Sequence, residues 1–420
     1  MRTPVQVEQN GHVPPGPEGS GLGTLASGVT APKESMARWQ QPRQAEGEPA
    51  TSPRVGCAEA DHLVGSLLAA TAADGTGACL VLDGPAGIGK TRMLFEAAAQ
   101  AGRLGLAVAS GRACELDRTA PLRALLAALR GSQPPVVGDD DMAELRECAG
   151  NRLWLVDQVA ALVEAYSRRR PLLISLDDLQ WADELTALAL QVVVPALRDA
   201  PVLWLLARRP LPDAAPAHRA LDRLVADGAH TFTLEPLPVP AVVEMCATAV
   251  GAEPGPSLVD LARLGGGNPF LVERLLAALR EANRISVRDG VGAAAGGKLP
   301  PALLSAAAHL LRDLSAPSRR LLEAGAVLGR PFTLPEAAAV LEERPVRLLD
   351  AAREALEAAV LTDRGHALAF RHDIVRTAVY AGLPGPARQA LHGSAARVLR
   401  DAGRPGPEVT SHLDRSGSRT

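Results

Sequence analysis

Ala78-Cys79-Leu80-Val81-Leu82-Asp83-Gly84-Pro85-Ala86-Gly87-Ile88-Gly89-Lys90-Thr91 is an apolar run that breaks into glycines and ends on a lysine and a threonine. Ala78–Leu82 predicts a buried strand, and the residues from Thr91 to about Ala101 predict a helix. Between them stands G-x-x-x-x-G-K-T, in the strand–loop–helix context that a phosphate-binding loop needs. Its glycines let the backbone curl until its N–H groups face phosphate oxygens, and the helix N-terminus adds a positive partial charge. Lys90 is then placed to reach the β- and γ-phosphates and Thr91 to ligate Mg²⁺. Gly84, Pro85, Ala86, Gly87, Ile88, Gly89, Lys90, Thr91 and Arg92 form the candidate cradle for ATP or ADP, with Lys90 also a catalytic candidate.

Working outward, Leu172-Leu-Ile-Ser-Leu-Asp177-Asp178-Leu-Gln-Trp181-Ala-Asp183 is a second apolar strand, ending in two carboxylates. That pattern fits a Walker B segment, in which Asp177 holds Mg²⁺ beside Thr91. Asp178 is the candidate that orients or deprotonates an attacking water. Asp183 precedes the helical segment Glu184–Leu197 and reads as its N-cap.

The 420 residues leave room for two or three modules. Apolar residues reach 47% with only 3% aromatic, so the cores are built from Ala, Leu and Val, and global disorder is excluded. A formal charge of −3 excludes a polycation that coats nucleic acid. Cys57, Cys79, Cys114, Cys148 and Cys246 contain no C-x-x-C pair, which excludes a zinc ribbon and points to a reducing cytoplasm. The start lacks the apolar core of a signal peptide, and no stretch reaches the length of a membrane span. Lysine stands only at positions 33, 90 and 298 in an otherwise arginine-based chain. The ammonium at Lys90, inside the folded core, therefore serves a task that a planar guanidinium performs poorly.

Residues 1–53 read as a disordered Pro/Gly-rich leader. Residues 54–235 alternate strands (Ala78–Leu82, Leu106–Ser110, Leu172–Leu176, Val202–Ala207, Thr231–Leu234) with helices, which predicts an α/β domain with a parallel sheet covered by helices on both faces. Residues 236–299 read as a helical lid of three helices followed by a flexible spacer at Gly290–Gly297. Residues 300–403 begin with a helical segment from Pro300 to about Leu328. Helices at Pro335–Leu341 and Pro345–Ala359 follow, then a hairpin turned at Arg364-Gly365-His366, the outline of a winged helix. Residues 404–420 read as a polar end.

Together the GPAGIGKT, DDLQWAD, GGNPF and FRHDIVRTAVY strings resemble the STAND class of signal-transducing AAA-type ATPases. More narrowly, they resemble the nucleotide-binding half of large LuxR-type (MalT-like) bacterial transcriptional regulators, over residues 54–413. The resemblance implies a P-loop NTPase sheet of the additional-strand type. It implies that Arg209, at the end of the fourth strand, senses the γ-phosphate. Pro269 would lie against the adenine, alongside its local place after an N-cap at Asn268. His372 would reach from the winged helix to the ADP β-phosphate. The family's V-G-R string reads Val55-Gly56-Cys57 here, so adenine contact from that segment is not expected.

The expected function is an ATP/ADP-operated regulatory switch with slow hydrolysis, partnered by nucleotide and, in the ATP state, by another copy or a separate output protein. The family's helical-repeat sensor arm would start near Ser411, and neither it nor a C-terminal DNA-binding module follows, as in a truncated or split product or a stand-alone switch. Two other functions compete. One is DNA binding through the winged helix, disfavoured because Pro345–Ala359 carries Arg347 and Arg353 against Asp350, Glu354 and Glu357. The other is a non-hydrolysing interaction scaffold.

Overall fold

The computed structural model describes residues 56–114, 121–147, 150–210, 216–403 and 406–417. The leader, with Lys33, and Cys148 lie outside the described residues. In the first half, α1 (Ala58–Ala73) precedes β1 (Ala78–Asp83), and α2 (Lys90–Arg103) follows the glycine loop. β2 (Ala107–Arg112) leads through α3 (Arg123–Gly131), α4 (Asp139–Glu147) and α5 (Arg152–Ser167) to β3 (Leu172–Asp177). Then come α6 (Glu184–Ala196), β4 (Val202–Arg208), α7 (Pro216–Ala226) and β5 (His230–Thr233).

These strands pair in parallel in the order β2-β3-β4-β1-β5. β4 therefore separates β1 from β3, the additional-strand arrangement of a P-loop NTPase. The sequence forces both faces of this sheet to be covered, because its central strands are near-continuous apolar runs. Leu80 and Leu82 of β1 join Leu68 of α1 and Met93 of α2 on one face. Cys79 and Val81 join Leu125, Val159 and Leu190 from α3, α5 and α6 on the other. Parallel pairing also brings every strand's polar C-terminal residue to one edge, where Arg112 lies in register with Asp177 and Asp83 with Arg208.

The second half contains α8 (Val239–Val250), β6 (Glu253–Pro254), α9 (Pro256–Arg263), α10 (Pro269–Glu281), β7 (Ile285–Arg288) and β8 (Val291–Ala294). α11 (Pro301–His309), α12 (Ala316–Leu328), α13 (Leu334–Val340) and α14 (Leu349–Glu357) follow. The chain continues through β9 (Leu361–Asp363), β10 (Leu368–Phe370), α15 (Asp373–Gly382), α16 (Gly385–Asp401) and α17 (Gly406–Ser416). One hydrophobic core runs through this half, from Leu237 and Leu275 to Leu322, Phe332 and Ala395. β9 and β10 pair antiparallel after α12, α13 and α14, and Phe332 bridges to Leu368 beside them.

Several local expectations are corrected. Half of the Gly/Ala-rich stretch expected as a spacer at 290–297 is a strand: β8 pairs with β7 and with β6. Asp289 and Gly290 both take positive φ (50° and 77°), the geometry of a type I′ hairpin turn. The segment from Pro300 to Leu328 breaks into two helices, because Ser315 caps α12 through Ser318 N and Pro317 occupies its first turn. Pro345–Ala359 divides into a 3₁₀ turn at Pro345–Leu348 and then α14. The end expected to be merely polar contains α17, whose Val409 and Leu413 pack on Ala396 and Leu399 of α16.

Candidate nucleotide site

The loop from Gly84 to Gly89 leaves β1 and turns into α2 at the polar edge of the sheet. Gly87 holds φ at +76°, and a Cβ there would stand 2.8 Å from Asn268 Oδ1 and 3.0 Å from Phe270 Cβ, so both conformation and space demand glycine. Lys90 is 5% exposed, and its Nζ donates to Gly84 O at 2.5 Å and Pro85 O at 2.9 Å. Burial first, and then Arg209, pull its pKa down to about 8 against the opposing pull of Asp177, Asp178 and Asp83. Thr91 Oγ1 donates to Asp177 Oδ2 at 2.6 Å. Arg92 is exposed and pairs with Glu96 at 2.8 Å.

Asp177 and Asp178 end β3 side by side, and their environments divide them. Burial and the neighbouring Asp178 push the Asp177 carboxyl up, partly offset by the hydrogen bond from Thr91. Burial pushes Asp178 the same way, but Arg209 and Arg112 outweigh it and hold this carboxyl below the ordinary range. Asp178 Oδ2 accepts from Arg112 Nε at 2.7 Å and Nη2 at 2.5 Å. Its Oδ1 accepts from Gln180 Nε2 at 2.9 Å and lies 3.3 Å from Arg209 Nε. Asp183 caps α6 through Leu185 N and Thr186 N, both at 2.9 Å, the capping role read from the sequence.

The adjacent arginines Arg208 and Arg209 part company. Arg208 Nε binds Asp83 Oδ1 at 2.7 Å and ties the ends of β4 and β1 together. Arg209 faces Asp178 and also donates through Nη1 to Asp313 Oδ2, in the connection between α11 and α12. Arg112 and Asp313 thus belong to the site although sequence reasoning singled out neither. Arg112 carried one usable signal, a charged residue closing a strand that pairs with the Walker B strand; Asp313 carried none.

The second half of the chain touches the loop directly. Asn268 caps α10 through Leu271 N, while its Nδ2 donates to Ala86 O at 2.9 Å. Phe270 N donates to Gly87 O at 3.3 Å. Pro269, half-buried, is the first residue of α10, between these two anchors. His372 is buried at 6% exposure, its Nδ1 lacks a hydrogen-bond partner, and burial followed by Arg371 lowers its pKa to about 4. Its ring lies on Gly266 (φ +57°), where a Cβ would fall within 2.0 Å of Nδ1. Ala86, Asn268, Gly266 and His372 therefore form a chain of neighbours from the loop to the start of α15. Gly266→Ala is expected to displace His372 and cost about 1–3 kcal/mol, measured as a lower unfolding midpoint in urea.

A cavity of about 580 Å³ adjoins the start of the loop, lined by Gly84, Pro85, Arg208 and Glu235 and, from the second half, Leu356 and Arg371. Lys90, Thr91 and Asp177 stand outside that lining.

A glycine-rich turn, a lysine, a threonine beside a strand-end aspartate, and β4 between the two strands decide the assignment. Residues 58–205 match the AAA ATPase domain family model. The matched AAA ATPase domain holds the loop, Lys90, Thr91, Asp177 and Asp178, and stops short of Arg209, Asn268 and His372. No curated protein matches the chain significantly. Among solved structures, a STAND protein with a tetratricopeptide repeat sensor from Pyrococcus horikoshii is 16% identical over 90% of this chain and 50% of its own, with a TM-score of 0.38. The ORC2 protein of Aeropyrum pernix is 14% identical over 85% of this chain and 97% of its own, with a TM-score of 0.48. The RuvB Holliday junction branch migration motor of Thermotoga maritima is 16% identical over 79% and 96%, with a TM-score of 0.38. All three are distant likenesses, and the chain spans about half the length of the Pyrococcus protein.

The AAA ATPase domain fits a nucleotide with Mg²⁺. The hydroxyl of Thr91 and the carboxylate of Asp177, 2.6 Å apart, are hard oxygen donors of the type Mg²⁺ takes alongside phosphate oxygens. Among the described residues there is no cluster of three or more His, Cys, Asp or Glu that could hold a metal ion. No helix among the described residues is long and apolar enough to cross a membrane.

Proposed function

We propose that the chain is an ATP- and ADP-binding switch of the STAND type, acting in the cytoplasm as the nucleotide-reading part of a LuxR-type transcriptional regulator and hydrolysing ATP slowly. The single observation that carries this reading is the grip of the second half on the phosphate loop, Asn268 Nδ2 to Ala86 O at 2.9 Å and Phe270 N to Gly87 O. A loop that rearranges around phosphates moves the carbonyls that hold α10, so nucleotide state is transmitted by direct contact. Lys90 exchanges the carbonyls of Gly84 and Pro85 for phosphate oxygens, while Thr91 and Asp177 hold Mg²⁺. When bound there, the cation would supply neutralisation of phosphate charge. Asp178 accepts the hydrogen bond that aligns the attacking water, and Arg209 turns toward the terminal phosphate. Pro269 and His372 are assigned to the adenine and β-phosphate as the family resemblance implies. Output is assigned to self-association or to a separate protein. Direct DNA binding is disfavoured, since Arg353 of α14 is paired to Asp350 at 3.1 Å.

Titration of ATP and ADP with Mg²⁺ into the full chain, read by calorimetry and small-angle scattering, tests the reading. Binding of both with different radii of gyration is expected; no binding, or identical radii, overturns it. The Arg209–Asp313 contact joins the ATPase core to the connection between α11 and α12, so Asp313→Asn is expected to loosen that joint in the absence of nucleotide. A half-buried charge-assisted pair of this kind is worth about 1.4 kcal/mol, or a tenfold gain in open population. The measurement is the rate of limited proteolysis between the two halves.

A further inference from the structure

Far along the chain from the phosphate loop, His392 of α16 and His412 of α17 are 0% and 5% exposed and join through their Nδ1 atoms at 2.8 Å. Tyr380 OH meets His392 Nε2 at 2.9 Å. In such a pair one imidazole donates through Nδ1 and the other accepts there, so at least the accepting ring is uncharged. Burial agrees, holding His392 at about 4 and lowering His412. The chain of bonds has two senses. In one, Tyr380 donates to His392, His392 donates to His412, and the remaining nitrogen of His412, Nε2, carries a proton outward. In the other, every donor is reversed and His412 Nε2 is a bare acceptor.

His412 lines a cavity of about 350 Å³, together with Arg330, Arg376, Arg415, Ser411 and Glu408. Three guanidiniums therefore face one carboxylate. Glu408 is committed to Arg330 at 2.6 Å, and Arg330 is held also by Glu336 at 2.7 Å. Arg376 has a stretched partner in Asp373 at 3.3 Å, one turn back on its own helix, and Arg415 has no ion pair among the described residues. Two guanidiniums, a hydroxyl and an orientable imidazole thus converge on one cavity, a donor set that matches a small oxyanion of charge two or more. A bound anion would favour the sense in which His412 presents N–H. The cavity is shared between two bodies of structure: Arg330, Arg376 and Tyr380 belong to the core around α12 and α15, and Glu408, Ser411, His412 and Arg415 to α17.

We propose that this cavity binds a small polyanion, of the phosphorylated or multiply carboxylated metabolite class, and that its occupancy fixes α17 against the preceding helices. The site is independent of the nucleotide reading, since it shares no residue with the phosphate loop. The histidine ring protons of the full chain, with His412 assigned by His412→Gln, are followed by NMR during titration with inorganic phosphate and, separately, malonate. Lys90→Ala protein serves as a second background, so that binding at the phosphate loop does not contribute. A saturable shift of the His392 and His412 signals is expected. Arg376→Ala and Arg415→Ala are each expected to weaken it about tenfold, with their nucleotide affinity intact as the sign of a folded chain. A response to phosphate alone, malonate alone or both identifies the source chemistry. No shift, a shift equal to that of chloride at matched ionic strength, or one indifferent to both arginines overturns the proposal.

Discussion

Lys90→Ala is expected to lower ATP and ADP affinity by about 100-fold in calorimetric titration at pH 7, without unfolding the chain. The ammonium is buried and donates to two neutral carbonyls, those of Gly84 and Pro85. Charge held in that state is costly: a pKa drawn from 10.5 down to about 8, chiefly by burial, corresponds to a penalty of about 3 kcal/mol at pH 7. The penalty is fully present below pH 8 and fades as pH rises toward 10.5, because in that window the unfolded chain keeps a proton that the folded chain has released. Removing the amine is therefore expected to leave the thermal midpoint at pH 7 level or higher. A polyphosphate reverses the situation by giving the ammonium a charged partner. In the wild type, nucleotide affinity is accordingly expected to fall as pH rises above about 8, with proton uptake on binding, and in Lys90→Ala that pH dependence disappears. Wild-type affinity in the variant would remove Lys90 from the binding machinery and with it the switch reading.

What the sequence made legible was whatever is encoded locally. The strand, the glycine turn and the helix start at residues 78–91 are adjacent in the chain, so their spacing is their geometry. Asp177 could be placed beside Thr91 because an apolar run ending in two carboxylates fits a Walker B segment, and the structure has them 2.6 Å apart. Arg112 could not be placed, because its partner Asp178 lies across a strand pairing whose register no single segment fixes. Asp313 sits in a helix connection with no motif, and only tertiary packing brings it to Arg209. The β7–β8 hairpin was missed for a different reason. Its Gly/Ala composition resembles a linker, yet Asp289-Gly290 stood in the sequence as a turn signal that the composition masked. α17 is polar on most of its surface and has a small apolar contact, so its pattern is weak until α16 lies against it.

Asp178→Asn is expected to cut phosphate release by about 10²–10⁴-fold while leaving nucleotide binding within a few-fold of wild type. Its carboxylate is nearly closed off in the present arrangement: Arg112 occupies Oδ2, and Gln180 and Arg209 share Oδ1. Burial pushes its carboxyl up, but the two guanidiniums outweigh that and hold it below the ordinary range, which suits the proposed role of an acceptor that aligns water more than that of a strong base. Water gains access only when a guanidinium leaves, and Arg209 is the one also engaged by Asp313. On the proposed reading, the resting rate is set by how firmly the arginines hold. Arg112→Ala removes the hold on Oδ2 and is expected to shift the rate in the opposite direction, raising phosphate release several-fold in the same assay. The paired signs matter, because a general loss of structure would slow both variants. Equal release by Asp178→Asn and wild type would instead mean that the carboxylate takes no part in hydrolysis. A nucleotide-binding scaffold would then be the better account of a chain that has kept its phosphate loop.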